Sequence, residues 1–148
     1  MPVAGKAGFS AKGGAEKGQK SYFTKRKGIA MTLQQCYENL GGNYQEVSSR
    51  LPSEKFIQKF VLKFLDDKTI ELLQSSWEAE NYEEAFRAAH TIKGMCQNLS
   101  FSLLQESSSQ LTEALRGGVT PEAKELYPKV LADFEKTASA IKAYKEGL

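Results

Sequence analysis

The residues best suited to chemistry lie in one short stretch of the chain, AAHTIKGMCQ, at positions 88–97. It contains His90, the only histidine among the 148 residues, with Lys93 three positions later and Gly94 four positions later. A neutral imidazole is a nucleophile near neutral pH because the ordinary pKa of histidine is ~6.5. A lysine stabilises an anion on the ring, and a glycine, which costs a helix ~1 kcal/mol relative to alanine, leaves room for a second surface. These features predict a histidine that accepts a phosphoryl group from another protein.

Other chemistries fit these residues less well. A zinc site needs three or four ligands, and one histidine with two distant cysteines, Cys36 and Cys96, does not supply them. The two cysteines are typical of reduced, small apolar residues in a cytosolic protein. A Ser-His-Asp arrangement needs an acid that orients the imidazole in a pocket, which the face of a helix offers poorly. The simplest alternative is a surface histidine on a charged helix face without a chemical role.

The composition is that of one soluble domain behind a basic N-terminal segment. Hydrophobic residues make up 41% of the chain, and no apolar run approaches the ~20 residues that a membrane helix needs. No secretory signal is recognisable, so we expect a cytoplasmic protein that does not contact a membrane. The formal charge of +2 divides into +6 over residues 1–30 and −4 over residues 31–148. We therefore expect a basic flexible arm or leader at 1–30 and a helical bundle domain at 31–148.

Two motifs in the arm resemble binding sites but are weak. GGAEKGQKS resembles a phosphate-binding loop, but Gln19 separates the glycine from the lysine and no strand precedes it. KSYFTKRK mixes basic and aromatic residues as weak nucleic-acid binders do, yet this mixture is more typical of a solvated linker. We expect the arm to bind neither nucleotides nor nucleic acids.

Apolar residues recur at three- and four-residue spacing from Thr32 onward, and no segment alternates with the period of a strand. The predicted helices, with their capping residues, span 32–40, 44–50, 53–77, 81–99, 101–115 and 120–145. The predicted N-caps are Thr32, Ser53, Asn81 and Thr120, and a kink is expected near residues 66–67. The four long segments with short connections predict an all-α fold, an antiparallel up-down four-helix bundle whose short N-terminal helices cover one end.

A helical projection of residues 81–99 places the histidine on the polar face. At 100° per residue, His90 lies roughly 130° from the centre of the apolar stripe. We therefore expect an exposed imidazole. Arg87, Lys93 and Gln97 share this polar side, and Arg87 and Lys93 can both reach over the same patch. Arg87 and Gln97 are the candidate residues for docking a partner.

The stretch AHTIKG resembles the signature of histidine-containing phosphotransfer (Hpt) domains of multistep two-component signalling. The resemblance extends through NYEEAFRAAH, Leu99 and FSLLQESSSQLTEALR, and it covers about residues 32–144. It implies a four-helix bundle in which His90 carries a phosphoryl group between aspartates of receiver domains, in response regulators or hybrid histidine kinases. It also implies that Lys93 neutralises the phosphoryl oxygens and that Gly94 admits the partner.

Two positions depart from the family pattern, and a third separates the chain from sensor kinases. Ser100 stands where glycine is common in the turn after the helix, and Thr112 stands where some members have a glutamine that bonds the ring or the phosphoryl group. Thr91 stands where sensor kinases usually carry an acidic residue, and no segment is suited to bind a nucleotide. The resemblance therefore implies a carrier without its own ATP-dependent kinase activity and without a cofactor of its own. The aspartate, the Mg²⁺ and a lysine would come from the receiver.

We expect a monomer, because the bundle must keep its active face free. The phosphoryl donor stays open between a receiver domain and a separate ATP-dependent kinase domain. The alternative function is a helical interaction module that is never phosphorylated. The presence of Lys93 and Gly94 beside His90 argues against that alternative, because an inactive domain could lose all three.

Overall fold

The computed structural model describes residues 31–148, and within this range the chain is helical and contains no strand. Seven helices follow one another: α1 Leu33–Leu40, α2 Tyr44–Arg50, α3 Glu54–Phe64, α4 Thr69–Glu78, α5 Tyr82–Leu99, α6 Ser102–Leu115 and α7 Pro121–Glu146. The predicted all-α class is confirmed. The predictions for residues 1–30, the basic arm and its two weak motifs, lie outside the described residues.

Four of the helices begin at the capping residues that the sequence predicts, whereas α4 and α6 begin without a side-chain cap. The side-chain oxygens of Thr32, Ser53, Asn81 and Thr120 each accept a hydrogen bond from the backbone N–H three residues later. Asn43 caps α2 in the same way. These bonds satisfy backbone donors that the first turn of a helix leaves without partners.

The long helix predicted over residues 53–77 is two helices in the structure. α3 ends at Phe64 and α4 begins at Thr69. The Asp67 carboxylate accepts a hydrogen bond of 2.8 Å from the backbone N–H of Thr69. An aspartate that bonds the backbone two residues later favours a turn over continuation of the helix. The kink expected near residues 66–67 is therefore a break.

Helix α5 is packed from two sides. It contacts α4 and α6 extensively, and α7 packs against both α6 and α1. Arg116, which follows α6, lies over the ring of Phe86 near the start of α5, so α5 and α6 are antiparallel. Trp77 of α4 stacks on Tyr127 of α7 with ring centroids 4.2 Å apart. The helices thus form a bundle around one buried apolar core.

The two short N-terminal helices bind the turn that joins α5 to α6. The Tyr37 hydroxyl of α1 donates a hydrogen bond of 2.7 Å to the carbonyl of Leu99. The guanidinium of Arg50, the last residue of α2, donates to the carbonyls of Gln97 and Asn98 at 3.1 and 2.9 Å. The last turn of a helix leaves its carbonyls without intrahelical partners. These contacts therefore fix the end of the helix that carries the histidine.

Candidate functional site

Helix α5 buries one face and exposes the other. Its buried residues are Ala85, Ala88, Ala89, Ile92, Cys96 and Leu99. The acidic side chains of Glu83 and Glu84 occupy its first turn, where they favour the positive end of the helix dipole. The opposite face carries His90, which is exposed, as the helical projection predicts. The imidazole therefore projects to the surface from a backbone that neighbouring helices hold in place.

The ring of His90 lies against the ring of Phe86, one turn earlier on α5. The two ring centroids are 6.2 Å apart, and the ring planes are within 10° of parallel. Phe86 is partly buried and packs against the hydrophobic core. The aromatic ring thus gives one side of the imidazole a fixed neighbour.

Lys93 and Gly94 follow His90 by about one turn, and both are half-buried. Lys93 forms no ion pair within 4 Å in the described part of the chain. A Cβ atom added to Gly94 would have no heavy atom within 4 Å, apart from its own chain neighbours and helix backbone. Crowding inside this protein therefore does not explain the glycine. The space above it is open to another molecule.

The two residues predicted to dock a partner, Arg87 and Gln97, are both exposed. Arg87 forms ion pairs of 3.0 Å with Glu83 and with Glu84. These acids hold the guanidinium toward the start of α5, so Arg87 does not reach over the histidine as the sequence suggested. Gln97 lies two turns after His90 on the same side of the helix. A docking role for either residue stays a prediction.

Two charged residues at the end of α6, which were not predicted from the sequence, belong to the same surface. Arg116 holds Glu113 by two hydrogen bonds, of 3.1 Å from Nε to Oε1 and of 2.8 Å from Nη2 to Oε2. The Arg116 guanidinium lies 5.3 Å from the centroid of the Phe86 ring. One aromatic ring thus contacts both the imidazole and a cation from the neighbouring helix. The three-residue spacing of Glu113 and Arg116 in the sequence predicts that they pair on one helix. It does not predict that the pair lies beside Phe86 and His90.

The electrostatics of Glu113 link it to the histidine. The hydrogen bonds and the charge of Arg116 hold the pKa of the Glu113 carboxyl below its ordinary value. The charge of Lys93 lowers this pKa further, and so does His90 when its imidazole carries a proton on both nitrogens. The Glu113 carboxylate therefore lies within electrostatic range of both residues of α5.

The two departures in the helical hairpin affect its packing. Thr112 is buried, and its hydroxyl donates to the carbonyl of Ser108 at 2.7 Å, so it does not replace an exposed glutamine. Ser100 has the left-handed backbone conformation, φ 58°, that favours glycine. Its hydroxyl donates to Glu46 at 2.7 Å and accepts from Arg50 at 2.8 Å. These two bonds hold the serine at a position that glycine would otherwise occupy.

The other candidate nucleophiles of the described chain are its two cysteines. Cys36 and Cys96 are free thiols and both are buried. Burial raises the pKa of the Cys36 thiol to about 12.

Among residues 31–148, no group of three or more His, Cys, Asp and Glu side chains is placed to hold a metal ion. Within the same residues, no helix combines the length and apolarity needed to cross a membrane.

The fold and the surface define a class of protein: a helical bundle that presents a histidine, a lysine and a glycine on the exposed face of a packed helix. The family model described as the Hpt domain matches residues 62–144. This match covers more than half of the chain, and the chain belongs to the Hpt domain family. The matched range runs from the end of α3 to the end of α7 and includes His90. No curated protein and no solved structure matches this chain.

Membership confirms the resemblance of the sequence to the Hpt family. It indicates histidine phosphotransfer in two-component signalling, where Hpt domains interact with receiver domains. It does not name the residue that is phosphorylated or the partner in this case.

Proposed function

We propose that this protein is a phosphorelay carrier that accepts a phosphoryl group on His90 from the aspartate of a receiver domain and donates it to the aspartate of another. Family membership supports phosphotransfer on a histidine, and His90 is the only histidine in the chain. The observation that carries the proposal is the exposed imidazole beside the open space at Gly94. A Cβ atom at Gly94 would meet no heavy atom within 4 Å beyond the local helix, so the surface leaves room for a second molecule at this point beside the ring.

The transfer needs positioning and charge neutralisation more than it needs covalent machinery. The lone pair of a ring nitrogen of His90 forms the N–P bond while the P–O bond to the receiver aspartate breaks. The aspartate leaves as a carboxylate, and the reverse transfer restores the neutral imidazole. Lys93 neutralises the phosphoryl oxygens during both steps. The receiver supplies the aspartate, a Mg²⁺ ion and a lysine, so this chain requires no cofactor of its own.

Helices α4, α5, α6 and α7 form the four-helix antiparallel bundle in this proposal, with the earlier helices packed on its outside. The antiparallel α5–α6 pair and the stacking of Trp77 on Tyr127 support this assignment. The domain acts as a cytoplasmic monomer, and Arg87 and Gln97 lie at the edge of the docking surface. It transfers phosphoryl groups but does not draw them from ATP itself.

The test is a transfer assay with a receiver domain charged with a radiolabelled phosphoryl group in the presence of Mg²⁺. Label is expected to move to the wild-type protein and not to His90→Gln, and the bond is expected to be labile in acid and stable in base. His90 is exposed, so the variant is expected to fold, which circular dichroism checks. If a panel of charged receivers transfers no label to the folded wild type, the interaction module replaces the carrier as the better proposal.

A further inference from the structure

The ion pair between Glu113 and Arg116 lies beside the exposed face of α5 that carries His90. Its contribution to stability does not explain its presence there. Both side chains are 58% exposed, so the pair does not satisfy a buried charge. An exposed ion pair contributes little to stability. The position of the pair indicates a role at the histidine, because Arg116 contacts the same Phe86 ring that lies against His90.

We propose that Glu113 is an internal counter-ion that holds Arg116 while His90 is unmodified and releases it to the phosphoryl group when His90 is phosphorylated. This inference rests on the proposed function, since it assigns a role in retaining the phosphoryl group on His90. Arg116 becomes the second cation of the site, beside Lys93. Glu113 competes with the phosphoryl group for that cation.

The chemistry of the guanidinium permits this exchange. Arg116 uses Nε and one terminal nitrogen to bind both oxygens of Glu113. The same pair of N–H groups binds two oxygens of a phosphoryl group, because the fork of arginine matches carboxylates and phosphates alike. No covalent bond is made or broken in the exchange; the two hydrogen bonds to Glu113 are replaced by two to the phosphoryl group. One anion replaces another at the same donors.

The charges favour the exchange in the phosphorylated state. A phosphoryl group adds a charge of about −1.5 to −2 at neutral pH. This charge attracts Lys93 and Arg116 and repels the Glu113 carboxylate, which already lies in electrostatic range of Lys93 and His90. In the unmodified state Glu113 instead compensates Arg116. The pair therefore responds to the state of the histidine.

The proposal predicts opposite effects for the two members of the pair. The measured quantity is the ratio of label on His90 to label on the receiver once the two proteins have reached equilibrium. Arg116→Gln should lower the ratio of label on His90 to label on the receiver about two- to fivefold, and Glu113→Gln should raise it by a similar factor, the range that exposed ion pairs give. The double variant should lie closer to Arg116→Gln than to the wild type, because Glu113 acts mainly through Arg116 and only weakly through its own repulsion of the phosphoryl group.

A matched control is the exposed i,i+3 pair of Lys68 and Glu71 at the start of α4, with a separation of 3.8 Å. Glu71→Gln removes a paired glutamate of the same kind and should leave the distribution of label unchanged. If Glu113→Gln and Arg116→Gln shift the distribution in the same direction, or if neither shifts it more than Glu71→Gln, the counter-ion proposal is wrong while the carrier function stands.

A second measurement needs no receiver. Phosphoramidate, a small phosphoryl donor, is added to ¹⁵N-labelled protein, and the Nε–H signal of Arg116 is followed by NMR. The signal is expected to move on phosphorylation of the wild type and to stay in place in His90→Gln. A phosphorylated wild type with an unmoved Arg116 signal overturns the exchange. If His90 accepts no phosphoryl group from phosphoramidate or any receiver, the proposed function fails, and the inference fails with it.

Discussion

Gly94 offers a perturbation in which folding and function should respond in opposite directions. Glycine lies inside α5, where its flexibility destabilises the helix relative to alanine. A Cβ at this position meets no heavy atom within 4 Å beyond the local helix. The alanine methyl group of Gly94→Ala therefore fits the isolated protein without strain, and it occupies the space that we assign to the approaching receiver.

The expected gain in stability follows from helix propensity. Replacing glycine by alanine in a helix interior raises the free energy of unfolding by roughly 0.5–1 kcal/mol. For a domain of this size, 1 kcal/mol corresponds to roughly 3–5 °C in the melting temperature. Forcing an extra methyl group into a packed contact costs about 1–3 kcal/mol. Transfer from the receiver should therefore slow by about 5- to 150-fold.

Two assays separate these effects. Thermal unfolding followed by circular dichroism measures the stability, and the initial rate of label transfer from a charged receiver measures the function. Phosphorylation of His90 by phosphoramidate is the control, because a small donor does not need the space above Gly94 and should react at the wild-type rate. Unchanged transfer from the receiver in both Gly94→Ala and the bulkier Gly94→Gln refutes the docking role. A lower melting temperature for Gly94→Ala refutes the conclusion that the space is empty.

Two further predictions concern the buried interior. Tyr37→Phe removes the donor to the buried carbonyl of Leu99 and should lower the free energy of unfolding in urea by about 1–3 kcal/mol, whereas an unchanged value would show that the carbonyl finds another partner. The Cys36 thiol, whose pKa burial raises from 9.0 to about 12, stays protonated in the folded state where the unfolded state ionises. The unfolded state then binds fewer protons, so stability is fully present below pH ~9 and falls as pH rises toward 12. Urea unfolding between pH 8 and 10.5 measures this slope, which Cys36→Ala should reduce; an equal slope in the variant would assign it to other groups.

The local parts of the fold were predictable from the sequence because local rules determine them. A serine, threonine or asparagine ahead of an apolar period has a side-chain oxygen that satisfies the first backbone donors, and Thr32, Ser53, Asn81 and Thr120 all do so in the structure. The exposed position of His90 follows from the angular spacing along one helix. Neither property requires knowledge of which helices are neighbours.

The parts that sequence reasoning missed depend on contacts between segments or on competing local bonds. The position of Arg116 over Phe86 depends on how α5 and α6 are aligned along each other. The spacing of apolar residues within one helix does not predict that alignment. Arg87 was expected beside His90, but Glu83 and Glu84 compete for it from the preceding turn. The break between α3 and α4 is stabilised by the hydrogen bond from the backbone N–H of Thr69 to the Asp67 carboxylate. The spacing of apolar residues does not reveal this bond.

In the proposed function, phosphoryl transfer requires that the helix beneath the histidine be rigid. The reacting group of the partner must meet the imidazole at bonding distance, and a mobile imidazole would lose the advantage of being positioned before docking. Packing of α5 between α4 and α6 supplies this rigidity, and Tyr37 and Arg50 hold the end of the helix. The outer face can therefore carry a glycine at position 94, where helix propensity would favour a larger side chain. In the proposed function both rigidity below the imidazole and open space above it are required, since the receiver would bring the aspartate and the Mg²⁺ to the histidine.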